Sequence, residues 1–521
     1  MKAKKNQKEA AQKKKPAVDL DNEATVQLLE LGQSKKKKKI RQIGIATAII
    51  LAGIISCFVI YPNMNSGARS VRAAEKAMEE NDYDTAVKEF SHAIEIKKDD
   101  ASLYRKRSDA YLKRAAAKKG SDKKEDMKNA EADAKKASKL NPKGTEERIQ
   151  LATVYAEDGA TDREEKTLQE AAEKTGKAYL YNTSISMGNT RMNLANNGLI
   201  VCDLDGNTYV ANSPKVGSVE KVDKDGSGTV IYEEGEDVPI SYLNLRGNKL
   251  IFQCDSTNWE EPERIVSVDV DGKNARTLFV GKRTAGNIVI LYDVPVICGN
   301  RLYINYFNSE GQSDLPQNDN MKGNYNVIST TLNGKNRSEK SCKQFELVRG
   351  ASPSMDVVSK KLCSGKRRFM LRPEFADESS KISVLDGKNE KILLQSRSRS
   401  IAATIQGDTI YVCTGPDKNG FIGIDLYDLN GNLKDHFDAE LNVDPEDIKT
   451  FSLQIVNLCV NEDRLYYDLQ SNGMYYAFGN MKKDGTDNKL AECEREDAVS
   501  AEDYYDADDY YDEDEYYDDE Y

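Results

Sequence analysis

Histidine and tryptophan are almost absent from the chain, whose 521 residues include one tryptophan and two histidines, His92 and His436. A Ser-His-Asp catalytic site or a metal centre with several histidines therefore has little to draw on. The sequence also lacks a Gly-rich loop of the kind that holds phosphate, and its nine cysteines include no Cys-x-x-Cys pair. We predict from these absences that the protein is not an enzyme and that it carries no cofactor, apart from the calcium considered below.

Opposite charges are concentrated at the two ends of the chain. The net charge is −12, from 75 lysines and arginines against 87 aspartates and glutamates. Residues 1–42 hold thirteen basic and five acidic side chains, whereas residues 494–521 hold one basic and fifteen acidic ones. The part between the two ends has no excess of basic residues, so nucleic acid is not expected as a partner.

Residues 43–61 form a run of nineteen residues without charge, preceded by Lys35 to Lys39 and Arg41 and followed by Pro62. As a helix the run would be about 28 Å long, close to the thickness of the hydrocarbon core of a bilayer. The basic residues before it predict that residues 1–42 are cytoplasmic and that the bulk of the chain is extracytoplasmic. We therefore predict a single-pass protein of the cell membrane.

Gly44, Ala48, Ala52 and Ser56 recur at four-residue spacing in this run, which would let a second helix approach closely. Homodimerisation through these residues is one interpretation, and the alternative is that small residues are simply common in membrane helices. The residues before Cys57 also fit the cleavage pattern of a lipoprotein signal, so lipidation of Cys57 stays open.

Between about residues 68 and 176 alanine, lysine, glutamate and aspartate dominate, and apolar residues recur at helical spacing. Three sets of residues share the same spacing, four residues and then three. They are Ala86, Phe90 and Ala93; Ala130, Ala134 and Ala137; and Glu164, Leu168 and Ala171. The third set follows the second by 34 residues, whereas the second follows the first by 44. The pattern resembles the tetratricopeptide repeat (TPR), with ten extra residues near 115–127 in a longer helix pair or a polar loop. A charged helical spacer is the alternative.

From about Lys177 short β-branched and aromatic runs alternate with Gly, Asn and Asp, as in strands joined by tight turns. Asp-Gly and Asn-Gly pairs are frequent here, and six of them recur about 52 residues apart, which predicts type I′ hairpin turns. The pairs stand at 225–226, 271–272, 333–334, 386–387, 430–431 and 484–485. Units of this length and number predict a β-propeller of about six blades.

This region begins with Gly188, Asn189 and Thr190, then Asn193, Asn196 to Gly198, and a run from Asp205 to Asn212. The beginning resembles that of a bacterial domain of unknown function whose propeller is related to that of the low-density-lipoprotein-receptor-related proteins. The resemblance covers about residues 188–492. It implies a fold and ligand binding, but no reaction.

Residues 223–234 match the ligand pattern of an EF-hand calcium loop, with Asp223, Asp225, Ser227 and Glu234 as the ligands. An EF-hand needs flanking helices, whereas the residues on both sides have the pattern of strands. The alternative is a plain hairpin turn, which we favour because the same turn recurs elsewhere without the ligands.

Eight cysteines follow the apolar run, at positions 202, 254, 298, 342, 363, 413, 459 and 493. Their even number permits disulfides. Most of them lie within strand-like apolar runs, where cysteine packs as a small hydrophobic residue. Packing in the core is therefore the favoured interpretation.

The last segment, residues 494–521, alternates tyrosine pairs with carboxylates at a period of six residues. Such dense like charge predicts disorder. The segment is either an arm for a cationic partner or a solvating extension.

The predicted fold class is multidomain, with an all-α solenoid and an all-β propeller. We predict a basic cytoplasmic segment (1–42), a transmembrane helix (43–61), a linker (62–68), TPR-like helical repeats (69–177), a β-propeller (178–493) and a disordered acidic tail (494–521). The predicted function is a membrane-anchored extracytoplasmic scaffold that binds a protein, peptide or glycan through its TPR and propeller surfaces. A transmembrane sensor that passes the state of its ligand to residues 1–42 is the alternative.

Overall fold

The computed structural model describes residues 45, 61–235, 238–255, 262–284, 287–291, 294–310, 324–342, 360–364, 367–374, 379–386, 389–396, 401–471 and 474–493. The chain divides into two compact units, Met1–Lys98 and Asp99–Tyr521. One helix pair belongs to the first unit, and two further pairs belong to the second, together with the strands.

The helices of the repeat region form hairpins, in which α1 packs on α2, α3 on α4 and α5 on α6. They are α1 (Tyr61–Glu79), α2 (Tyr83–Ile96), α3 (Ala101–Ala116), α4 (Gly120–Leu140), α5 (Thr145–Glu157) and α6 (Thr161–Thr175). In the second hairpin Arg107 pairs with Asp133 and Arg114 with Asp126, so α3 and α4 run antiparallel. Residues 62–68, which the sequence predicted as a linker, are helical and belong to α1.

Small side chains make the close helix contacts at the predicted positions. The three sets with the shared spacing are buried in α2, α4 and α6, and every member is at most 1% exposed. Ala74, Ser108 and Ala152, which stand at corresponding places in the partner helices, are 0% exposed. The prediction of TPR-like helix pairs is confirmed. The ten extra residues lengthen the second pair, because α3 continues to Ala116 and α4 has 21 residues.

The predicted fold class needs one correction, which concerns the transmembrane helix. Within the described ranges, no helix is both long enough and apolar enough to cross a membrane. The longest, α4, carries charged side chains along most of its length. Residues 43–61 lie outside the described residues except for Ile45 and Tyr61, and the tail over 494–521 lies outside them entirely. The architecture that the structure supports is TPR-like helix pairs followed by β-sheets.

The described strands form six sheets, here named I to VI in chain order. Sheet I is β1 (Ile200–Cys202), β2 (Thr208–Ala211), β3 (Ser218–Val222) and β4 (Gly228–Glu233); sheet II is β5 (Ile240–Arg246), β6 (Lys249–Cys254), β7 (Arg264–Asp269) and β8 (Arg276–Val280). Sheet III is β9 (Lys282–Thr284), β10 (Asn287–Leu291), β11 (Val296–Cys298), β12 (Arg301–Glu310), β13 (Asn324–Thr331) and β14 (Ser338–Cys342). Sheet IV is β15 (Lys360–Ser364), β16 (Arg367–Glu374), β17 (Ser379–Asp386) and β18 (Asn389–Ser396). Sheet V is β19 (Ile401–Gln406), β20 (Thr409–Thr414), β21 (Phe421–Asp428) and β22 (Leu433–Glu440); sheet VI is β23 (Gln454–Asn461), β24 (Arg464–Ser471), β25 (Met474–Lys482) and β26 (Lys489–Glu492).

The sheets follow one another as the blades of a ring. Five are four-stranded with strands paired in chain order, and sheet III has the order β14-β13-β12-β10-β9 with β11 also paired to β12. Apolar clusters join sheet I to II, II to III, IV to V and V to VI. A further cluster joins sheet VI back to sheet I. These contacts link the six described sheets in the order III-II-I-VI-V-IV and support the predicted β-propeller of about six blades.

The five of these pairs that the structure describes in full lie between the last two strands of their sheets, but the predicted turn type is wrong. In the first turn the Gly226 N–H donates to the Asp223 carbonyl at 2.8 Å. Gly226 has a φ of +83°, whereas Asp225 is not among the residues with positive φ. A type I′ turn needs positive φ at both residues. In the observed turn the glycine alone is left-handed, and the Asp225 carboxylate stabilises the turn by accepting the Ser227 N–H at 3.0 Å.

Residues 188–198, which we name the central plug, pass through the middle of the ring. The plug includes α7 (Arg191–Ala195), and Asn189, Asn193 and Asn196 are each at most 2% exposed. The Asn189 side-chain amide donates to the carbonyls of Ile200 in β1 at 2.8 Å and Leu243 in β5 at 2.6 Å. A single buried amide therefore bridges sheets I and II, which the apolar cluster also joins.

Asn196 does the same for sheets V and VI. Its amide donates to the Ala403 carbonyl in β19 at 3.2 Å, and its Oδ1 accepts the Leu458 N–H in β23 at 3.1 Å. A Cβ at Gly188 would lie 2.8 Å from Ile297 Cδ1 in β11, and α7 packs on β15. The central plug thus contacts the innermost strand of all six sheets.

The central plug is also fixed to the last helix pair. A 3-10 helix (Ala178–Asn182) connects α6 to the ring, and the buried Glu164 carboxylate accepts the N–H groups of Ile185 and Ser186 at 2.5 and 3.1 Å. Arg191 of the plug pairs with Asp162 of α6 at 3.1 Å. The helix pair α5 and α6 and the propeller consequently form one packed structure.

We expect the substitution Asn189→Ala to destabilise the ring, because the Ile200 and Leu243 carbonyls would lose their donor while buried. The free energy of unfolding should fall by about 2 kcal/mol or more, seen as an unfolding temperature lower by several degrees in scanning calorimetry. Asn419→Ala in an exposed turn is the matched control, with an expected change under about 0.5 kcal/mol. Equal losses from the two variants would contradict the role given to the central plug.

Candidate functional site

A groove opens where the last sheet of the ring meets the first, and we name it the seam groove. It has a volume of about 970 Å³ and is lined by residues of β2, β3, β24, β25 and β26 and the turns beside them, together with Gly176 and with Ala178 of the 3-10 helix. This volume lies at the upper end of the range for ligand sites. It arises because sheets I and VI are each complete and meet through side chains rather than by exchanging a strand.

The seam groove has an apolar floor beneath a charged rim. The floor is Val210, Val222, Tyr466, Phe478, Leu490 and Ala491. The rim carries six carboxylates, those of Glu220, Asp223, Asp225, Glu462, Asp463 and Asp487, against three basic groups, those of Lys224, Arg464 and Lys489. The groove is therefore anionic overall, and it offers apolar contact directly below its negative charges.

Two of the rim carboxylates have a lowered pKa. Hydrogen bonds from Ser227 lower the pKa of Asp225, and the hydrogen bond from Arg464, 2.7 Å away, lowers the pKa of Asp487. Both carboxylates are ionised at neutral pH. Glu220 accepts the Ser213 hydroxyl at 2.5 Å, which fixes its position at the groove.

The four predicted calcium ligands do not come together. Asp223, Asp225 and Ser227 lie in the turn between β3 and β4, whereas Glu234 follows the far end of β4. Glu234 accepts the Tyr232 hydroxyl and lies 3.2 Å from Arg264 Nη1 of sheet II. Residues 223–227 therefore form the hairpin turn that we favoured over a calcium loop. Among the described residues, no cluster of three or more His, Cys, Asp or Glu side chains is arranged to hold a metal ion.

The cysteines described with their side chains are free thiols. Cys202, Cys254, Cys413 and Cys459 are buried, Cys298 is exposed and Cys493 is half-buried. Burial raises the pKa of the Cys202 thiol to about 12. Four of these six therefore pack as core residues, in agreement with the favoured interpretation.

The two histidines have separate structural partners. His92 Nδ1 lies 2.8 Å from the Ser70 hydroxyl, which joins α1 to α2. His436 on β22 lies 2.7 Å from Asp425 and 3.4 Å from Asp438, and the hydrogen bond with Asp425 raises the pKa of His436. Neither histidine belongs to the lining of the seam groove.

The residues proposed for transmembrane packing, Gly44, Ala48, Ala52 and Ser56, lie outside the described residues. So does Cys57, and the homodimer predicted through this segment stays a prediction.

Sequence reasoning missed the seam groove and a buried carboxylate at the end of β6. Asp255 Oδ1 accepts the Gln253 amide at 2.6 Å, whereas Oδ2 is buried without a partner among the described residues. Burial raises the pKa of Asp255 to about 7; the Ser241 and Gln253 side chains oppose this rise, and the negative charge of Glu263 adds to it. Asp255 follows Cys254 directly in a strand-like run, and this was the one signal of its burial that the sequence offered.

No family model matches the chain, and no curated protein matches it. Solved structures similar to parts of it include TPR domains and β-propellers. The TPR domain of Arabidopsis OM64 is 17% identical, covers 23% of this chain and 90% of its own, and has a TM-score of 0.20. The yeast Sti1 TPR2B domain, in a complex with an Hsp70 peptide, is 21% identical over 22% of this chain and 93% of its own, with a TM-score of 0.19.

The similar propellers cover more of the chain. The propeller domain of the Trilobed protease from Pyrococcus furiosus is 13% identical, covers 57% of this chain and 84% of its own, and has a TM-score of 0.24. The AtxE2 isopeptidase is 9% identical over 57% of this chain and 51% of its own, with a TM-score of 0.35. All four TM-scores are below 0.5, so the fold is taken from the helix pairing and strand order described above.

We expect Asp255→Asn to stabilise the protein at high pH. A carboxyl group whose pKa is higher in the folded state than in the unfolded state destabilises the fold as the pH rises from about 4 to about 7. The variant should lie within about 0.5 kcal/mol of the wild type at pH 4 and exceed it by about 4 kcal/mol at pH 8, measured by denaturant unfolding. Asp205→Asn, an exposed carboxylate of sheet I, is the control that should change neither value. A variant less stable than the wild type at pH 8 would show that the Asp255 carboxylate is needed in its charged form.

Proposed function

We propose that this protein is an interaction scaffold whose seam groove binds a peptide segment rich in lysine or arginine. The observation that carries the proposal is the apolar floor below six carboxylates. Lysine and arginine side chains have long apolar stems and charged ends, so they fit a surface that offers both kinds of contact. A propeller fixed to a helix pair presents such a groove on a firm support.

Binding explains the groove better than hydrolysis does. A hydrolase that uses paired carboxylates needs one of them protonated near neutral pH, and hence with a raised pKa. The pKa values of Asp225 and Asp487 are instead lowered. We accordingly propose that the chain is not an enzyme.

Several finer points stay predictions from the sequence. They are a membrane location, the position of the bulk of the chain outside the cytoplasm, a glycan ligand, and the sensor role as the alternative function. Protease treatment of cells stripped of their outer barriers should degrade the carboxyl-terminal part if it is extracytoplasmic.

We expect a fluorescent twelve-residue peptide of alternating lysine and serine to bind the full chain. Binding should weaken with salt, because the rim charges are exposed and are screened by ions. The substitutions Glu462→Lys and Asp463→Lys, both at exposed positions of the rim, should lower the affinity at least tenfold in fluorescence anisotropy.

The control variant Glu79→Lys and Glu95→Lys changes the net charge equally at exposed positions on α1 and α2 and should retain wild-type affinity. An equal loss in this control would show that binding follows net charge alone. Failure of the wild type to bind at 50 mM salt would refute the proposal.

A further inference from the structure

The second helix pair is strongly basic in a chain that is acidic overall. Residues 101–140, which span α3 and α4, contain thirteen lysines and arginines against six aspartates and glutamates. This excess was hidden in the sequence, because the acidic residues of the propeller balance it.

Four of the six acidic residues of this pair form ion pairs, whereas the exposed Asp122 and Glu125 form none with any described residue. The Asp126 side chain is 3% exposed and pairs with Arg114 at 2.6 Å and Lys118 at 3.0 Å. Arg107 pairs with Asp133 at 2.7 Å. The carboxylates of Asp126 and Asp133 thus neutralise cations at the contact between α3 and α4.

Four lysines follow one exposed face of α4, and we name them the lysine face: Lys124, Lys128, Lys135 and Lys139. Their spacings of four, seven and four residues place them on one side of a helix, over a length of about 22 Å. The opposite side, with Ala130, Ala134 and Ala137, is buried. Lys135 pairs with Glu131 at 2.8 Å, whereas Lys124, Lys128 and Lys139 form no ion pair with any described residue.

The same chain contains a segment of complementary charge and sufficient length. Residues 494–521 carry fifteen acidic residues and one basic residue, with tyrosine pairs every six residues. They follow β26, which belongs to the same compact unit as α4. A chain of 28 residues reaches about 90 Å when extended. A compact unit with the number of residues in 99–493 has a radius of gyration of about 21 Å, so the segment is long enough to reach α4.

The seam groove is the surface nearest in sequence to the start of this segment, since Ala491 contributes to its floor. Its six carboxylates against three basic groups would repel an acidic segment. The lysine face has the opposite charge, and lysine ammonium groups also make cation–π contacts with the faces of tyrosine rings. Charge thus selects between the two surfaces.

We propose that residues 494–521 bind the lysine face of α4 within the same chain. A single exposed ion pair contributes little, so binding depends on several pairs formed together. The segment then occupies the lysine face, and an acidic partner of α4 has to displace it. This contact involves neither the floor nor the rim of the seam groove, so it stands or falls independently of the proposed function.

The test is carbodiimide crosslinking of the full chain, which joins carboxylates to lysines in direct contact, followed by mass spectrometry. At 50 mM salt we expect crosslinks from residues 502–520 to Lys124, Lys128 and Lys139, and at least a fivefold loss at 500 mM salt. The variant Lys124→Glu, Lys128→Glu and Lys139→Glu should lose the tail crosslinks to α4, including any to the retained Lys135, at least fivefold.

The control variant Lys88→Glu, Lys97→Glu and Lys418→Glu removes the same charge at other exposed positions and should keep the crosslinks to α4. An equal mixture of isotope-labelled and unlabelled chains should give crosslinks within one chain. Crosslinks that join the tail mainly to residues 1–42, that join two chains, or that fall equally in the control would each overturn the proposal.

Discussion

The ring of six sheets depends on how the central plug satisfies the innermost strands. Backbone N–H and C=O groups at the centre are buried, and each one left without a partner costs about 1–3 kcal/mol. Apolar side chains would fill the space but could not pair with these groups. Asparagine carries both donor and acceptor atoms, and so Asn189 and Asn196 each bridge two sheets.

The central plug also determines how the helices are attached. Arg191 of the plug pairs with α6, and Glu164 of α6 accepts the N–H groups of Ile185 and Ser186 just before the plug. The last helix pair therefore cannot separate from the ring without breaking buried hydrogen bonds. A further amide reinforces this junction: Asn182 donates to the Val460 carbonyl in β23 at 2.9 Å. The surfaces of α3 to α6 and of the propeller are accordingly presented by one unit.

The sequence predicted those features that short-range physics determines. The shared spacing of Ala86, Phe90 and Ala93 identifies helix contacts, because small residues on one face permit close packing. The Asp-Gly pairs identify turns for an equally local reason. The turn type was wrong because the dipeptide does not reveal which of its residues adopts positive φ, and in the structure it is the glycine alone.

Long-range features escaped sequence reasoning. Glu234 matches a calcium ligand by its spacing from Asp223, but β4 runs between them and moves it toward Arg264. The asparagines of the plug were noted as a resemblance, yet their role depends on strands up to 262 residues away. The seam groove likewise exists only when the last sheet meets the first. The transmembrane helix is a different case from these long-range features, because residues 43–61 lie almost entirely outside the described residues.

Net charge is a poor guide to the surfaces of this protein. A value of −12 averages an acidic groove and a basic helix pair, although exposed charges act only over a Debye length of about 8 Å at physiological salt. Two surfaces that lie farther apart than this distance act independently, and each attracts ligands according to the sign of its own charge. One chain can therefore present two surfaces of opposite charge on a common support, and the positions of the charges on the folded unit decide which ligand each surface attracts.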